Sequence, residues 1–114
     1  MRLSKRKALE ICIELWSWLG STGSAYKEEW PGWKINGGKY PEMKLYCSLC
    51  EYDSYRHYHN KTYKSGCYYC PLKKELNYCG RNSLFYKWNI FSGDKSIHAR
   101  QIRDLAIKAL NELK

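Results

Sequence analysis

Residues 4–19, Ser-Lys-Arg-Lys-Ala-Leu-Glu-Ile-Cys-Ile-Glu-Leu-Trp-Ser-Trp-Leu, decide the fold class of this 114-residue chain. Lys7, Glu10, Glu14 and Ser17 recur at spacings of three and four and draw one narrow polar stripe. Leu9, Cys12, Ile13, Leu15, Trp16 and Leu19 fill the remaining surface. A helix with so wide an apolar surface is one that its neighbours cover. Ser4 is the expected N-cap and Gly20 the expected stop. Cys12 falls on the apolar side, where a thiol behaves as a small buried hydrophobe. The segment also has the outline of a signal peptide, a basic start followed by apolar residues. Glu10 and Glu14 interrupt the apolar part, however, and no small-residue cleavage site follows. The expectation is a structural helix in a protein made and kept in a cytoplasm.

A second helix is predicted at the other end, over 96–113. There Ile102, Leu105, Ala106, Ala109 and Leu113 repeat at three and four, and Asp104 and Lys108 form a favourable pair. A shorter helix is expected from Ser83 to Phe91, with Leu84, Phe85, Trp88 and Phe91 turned inward. Residues 21–43 are broken by glycines and prolines. Asn36-Gly37 suits a tight turn between Trp33-Lys34-Ile35 and Lys39-Tyr40, while Trp30 and Trp33 are expected to cap the core. The sequence thus predicts one domain, 1–114, mainly α. Its N- and C-terminal helices pack together around a small irregular or β cysteine-rich module at 45–80. Aromatic residues make up 16% of the chain, with 11 Tyr and 5 Trp, which argues against a disordered tail. No apolar run approaches the roughly 20 residues of a membrane span.

The module holds Cys47-Ser-Leu-Cys50 and, sixteen residues on, Cys67-Tyr-Tyr-Cys70. Two residues between thiols let a tight turn aim both sulfurs at one ion, and two such turns complete a tetrahedral four-cysteine zinc site. In a reducing compartment this reading stands ahead of disulfides or free thiols. The site is closed, with no position left for water or substrate, so the Zn²⁺ is structural. Four thiolates and one Zn²⁺ bring the effective charge from +9 to +7. Cys79 is a fifth nearby thiol that either replaces one of the four or lies buried beside them.

His57 and His59 fall between the two pairs. On an extended segment both rings share a face, which opens imidazole ligation or a second metal site as further readings. Together with Asn60 they loosely echo zinc-stapled HNH-like nucleases, but the acidic partner and the His after the last Cys are missing. No zinc-deaminase pattern, phosphate-binding glycine loop, Gly-x-Ser-x-Gly or His-Glu-x-x-His occurs. No acid–base pair stands out. The expectation is a protein that is not an enzyme.

The positive charge is concentrated. Between Ser54 and Gly93 stand Arg56, Lys61, Lys64, Lys73, Lys74, Arg81 and Lys87 against Glu75 alone, interleaved with seven tyrosines including Tyr58. Cations neutralise phosphate and aromatic rings stack on bases, so this pattern suits a nucleotide-like ligand, either a signalling nucleotide or nucleic acid. Arg56, Tyr58, Lys61 and Lys64 are the leading contact candidates, with Lys73, Lys74, Arg81 and Lys87 behind them. The competing readings are a solvated face around tyrosines that pack the metal site, and a surface docking on an acidic patch of a partner protein.

At these residues the chain resembles a loose group of small proteins of tailed bacteriophages. The features that carry the resemblance are Trp16-Ser-Trp18-Leu19, Cys47-Ser-Leu-Cys50-Glu51-Tyr52, Cys67-Tyr-Tyr-Cys70-Pro71-Leu72, Cys79 and Tyr86-Lys-Trp88. The resemblance implies a phage origin, the cytoplasm of a bacterial host, and a zinc knuckle pair; it brings no activity. By analogy with phage genes of this size, the expected role is to counter a host process or defence system by binding the nucleotide-like ligand. The alternatives are a protein-directed inhibitor that grips a host defence or transcription protein through Trp30, Trp33 and their neighbours, and the HNH-like nuclease.

Overall fold

A computed structural model of the chain describes residues 3–43, 46–60, 70–72 and 84–113. It is mainly helical: α1 (Lys5–Thr22), α2 (Ser48–Asn60), α3 (Leu84–Ile90) and α4 (Ser96–Asn111). No strand occurs among the described residues, only an isolated bridge between Trp33 and Tyr40, so the β component expected of the cysteine module is not seen there.

Helix α1 begins as its sequence dictates. The Ser4 hydroxyl accepts the backbone N–H of Lys7 at 3.0 Å, satisfying one of the amides the first turn leaves unpaired. It ends three residues later than expected. Gly23, not Gly20, takes the left-handed conformation that closes the helix, with φ 72°, and donates to the Leu19 carbonyl at 2.9 Å. Gly20 serves packing instead: a Cβ there would lie 2.7 Å from Cγ of Arg100 on α4. The missing side chain lets the two terminal helices approach, and α1 against α4 is the most extensive helix pair of the described residues. Ala8, Leu9, Ile11, Cys12, Leu15, Trp16 and Leu19 of α1 are buried, as are Ala99, Ile102, Ala106 and Ala109 of α4. On α4, Asp104 pairs with Arg103 at 2.9 Å rather than with Lys108.

The long loop after α1 is pinned by its aromatics. Trp33 is fully buried and Trp30 nearly so; Trp30 meets Trp33 edge-on at 5.1 Å and stacks on Tyr40 at 5.9 Å. The Trp33 indole donates to the Lys27 carbonyl, the Asn36 amide donates to the carbonyls of Glu28 and Trp30, and the Tyr40 hydroxyl donates to Glu14 of α1. Gly37 turns the chain after Asn36 at φ 98°, but as the cap of a one-turn 3₁₀ helix over Lys34–Asn36, not as the tight turn expected between Trp33-Lys34-Ile35 and Lys39-Tyr40. Both tryptophans therefore cap the core. A partner-binding surface built on Trp30 and Trp33 has no exposed indole to offer.

Helix α2 is the element that the sequence pattern does not announce. Cys47-Ser-Leu-Cys50 forms no hairpin tip; Cys47 immediately precedes α2 and Cys50 lies in its first turn. Ser48 is buried, and its hydroxyl donates to the Ala8 carbonyl of α1 at 2.6 Å. In α3, Trp88 is buried and Phe85 is half-buried, whereas Phe91 is 44% exposed and not inward as expected. Lys95 ties α3 to α4: its ammonium donates to the carbonyls of Trp88 and Asn89 at 2.7 and 2.9 Å and lies over the Trp88 ring.

Candidate functional site

The first cysteine pair stands where α1, α2 and α3 meet. Cys47 is buried and Cys50 half-buried. A hydrogen bond from the Cys50 thiol, with help from the Lys27 ammonium and the backbone N–H groups of Cys50 and Leu49, lowers the Cys47 pKa to about 6 against the cost of burial. A thiolate is the form that binds a metal ion. Cys70 is also buried. Its charge and that of Cys47 both act on Cys12, whose thiol is held well above its usual pKa first by burial and then by these two neighbours. Cys12 is thus buried as expected, and it also faces the cysteine module. The Ser48–Ala8 bond explains why, because the Ala8 carbonyl is the helical acceptor for the Cys12 amide one turn on.

For zinc the fit is partial. Cys47 and Cys50 are hydrogen-bonded and Cys70 is buried close enough to Cys12 to act on its thiol, but no three metal-ligating side chains among the described residues are grouped tightly enough to hold an ion. Cys67 and Cys79 lie outside the described residues, so the second cysteine pair is represented by Cys70 alone.

Of the basic and tyrosine candidates, Arg56 and Tyr58 lie on α2 and Lys87 on α3, and all three are exposed. Arg56 sits 5.9 Å from the centre of the Tyr52 ring, one turn earlier on α2. Tyr58 is 84% exposed. Lys61, Lys64, Lys73, Lys74 and Arg81 lie outside the described residues. Positions 57 and 59 fall in α2, not on an extended segment.

One feature of the site has no local sequence signature. A cleft of about 570 Å³ opens beside Cys47 and Cys50, lined by Lys27, Tyr46, Phe85, Tyr86, Trp88 and Asn89. Tyr46 holds a positive φ of 50°, a conformation that costs a bulky residue on the order of 1–3 kcal/mol. Its ring meets Trp33 at 6.0 Å. Trp88 packs edge-on against Trp16 at 4.9 Å, and both indole N–H groups are buried with no acceptor among the described residues. The lining comes from three separated segments, which is why no spacing in the sequence announces it.

Among the described residues, no helix is long and apolar enough to cross a membrane. Comparison with protein-family models, with characterised proteins and with solved structures finds no match.

Proposed function

We propose that this chain is a non-enzymatic, zinc-stapled binding protein of the phage type. Its basic, tyrosine-rich surface captures a nucleotide-like anion, either a signalling nucleotide or nucleic acid, and so counters a host process. The Zn²⁺ is structural, held by Cys47, Cys50, Cys67 and Cys70 with Cys79 as the substitute ligand. Its chemistry when bound is that of a staple between the two cysteine pairs.

The observation that carries the ligand reading is on α2. Arg56 stacks over Tyr52 while Tyr58 stands clear of the core at 84% exposure. A guanidinium pre-positioned on one ring and a second ring open to solvent are the two parts that phosphate and base require. The surrounding stretch, from Ser54 to Gly93, carries one acidic residue against seven basic ones. A favourable field of that kind raises encounter rates with anions and weakens as salt is added.

The test is a binding titration with AMP and with a short single-stranded oligonucleotide, run at low and at high salt. A variant carrying Arg56→Glu, Lys61→Glu and Lys64→Glu is expected to lose oligonucleotide binding and its salt dependence. Unchanged, salt-independent binding by that variant contradicts the assignment.

A further inference from the structure

We propose that the cleft beside Cys47 takes a single adenine base, stacked on its aromatic walls, while the attached phosphate stays at the mouth near Lys27. The proposal rests on the nucleotide-like ligand inferred above, and it gives that ligand a site that Arg56 and Tyr58 do not line.

The size is the first argument. About 570 Å³ lies within the roughly 300–1,000 Å³ of small-molecule sites and suits one nucleotide rather than a run of strand. The lining is the second. Tyr46, Phe85, Tyr86 and Trp88 supply aromatic surface from two separate parts of the chain, and an aromatic surface is what an unstacked base exchanges for its neighbours. Asn89 sets an exposed amide at the same cleft. An amide offers an acceptor and a donor side by side, the complement of the adenine amino group and ring nitrogen.

Charge orients the ligand. Lys27 lines the cleft together with the aromatic residues, so a phosphate held by its ammonium leaves the aromatic surface to the base. Tyr46, at a positive φ of 50°, lines the cleft with its ring 6.0 Å from that of Trp33.

The experiment is calorimetric titration of the full, metal-replete chain with AMP, adenosine, ribose 5-phosphate and a short oligo-dA. AMP is expected to bind, adenosine to bind more weakly with a difference that shrinks in high salt, and ribose 5-phosphate not to bind. Tyr86→Ala and Asn89→Ala change exposed positions and are each expected to weaken AMP about tenfold, with circular dichroism unchanged.

If AMP binds equally to these variants but is lost when Arg56 is reversed, the cleft assignment falls and the basic-surface reading stands. Binding of oligo-dA without AMP likewise overturns the cleft and leaves the basic surface in place. If neither probe binds the wild-type chain, both fall together.

Discussion

The hydroxyl of Ser48 donates to the carbonyl oxygen of Ala8 across a buried contact of 2.6 Å. These residues are forty positions apart, and the bond sets the start of α2 against α1. It brings the first cysteine pair to the turn of α1 that carries Cys12. Removing the hydroxyl leaves the Ala8 carbonyl its helical partner, so the loss is that of one net hydrogen bond, about 1 kcal/mol. Ser48→Ala is expected to lower the melting temperature by roughly 4–8 °C with helix content unchanged; an unaltered melt contradicts the role given to this bond.

Gly20 tests the approach of the terminal helices. Alanine gains helix propensity but meets Arg100, whereas a branched side chain at this buried position meets the α4 backbone behind it. Gly20→Val is expected to destabilise by about 1–3 kcal/mol through overpacking, measured by urea denaturation. A neutral result means that α1 and α4 do not meet closely there.

Lys95 is the tether between α3 and α4, with two carbonyls and one indole face as partners. Lys95→Met keeps the aliphatic stem and removes the charge, and is expected to cost about 1–3 kcal/mol. Because α3 carries Tyr86, Trp88 and Asn89, hydrogen exchange in residues 84–90 should rise more than in α1. Uniform change along the chain contradicts a local tether.

The start of α4 supplies a pH dependence. Asp94 accepts the backbone N–H of Ser96 at 2.9 Å, and the backbone and hydroxyl of Ser96, with Arg100 nearby, hold its carboxyl below the usual range. A carboxylate depressed in the folded state stabilises it above the unfolded pKa, and that contribution is lost as pH falls through the folded value. Asp94→Ala should therefore melt below wild type at neutral pH. The two curves should converge in acid, below the ordinary carboxylate range near about 3.9. A gap that persists there contradicts the capping role.

How much of the fold and site was legible in the sequence depends on where the signal lay. The terminal helices carry complete three-and-four periodicity, so their existence and their packing were readable, and the Ser4 cap with them. The stop was misread because Gly20 and Gly23 look alike in sequence; only the closeness of Arg100 reveals that the first is a packing position. Helix α2 was hidden because Leu49 and Asp53, one turn apart and both buried, share a face on which the polar Asp53 masks the apolar repeat. Cys47 and Cys50 read as a turn because two intervening residues is the spacing of a metal-binding turn. Cys12 was legible as buried but not as a neighbour of the cysteine module, since that contact depends on α2. The cleft joins residues 27, 46 and 85–89, and no pattern along the chain links them.

The central claim is that a metal ion staples the cysteine pairs of this chain. The most direct measurement is elemental analysis of the freshly purified protein, paired with thermal melts before and after chelation. The account predicts one zinc per chain, a large fall in melting temperature when it is removed, and loss of both in Cys47→Ser. A metal-free protein whose melt is indifferent to chelator and to that substitution would contradict it.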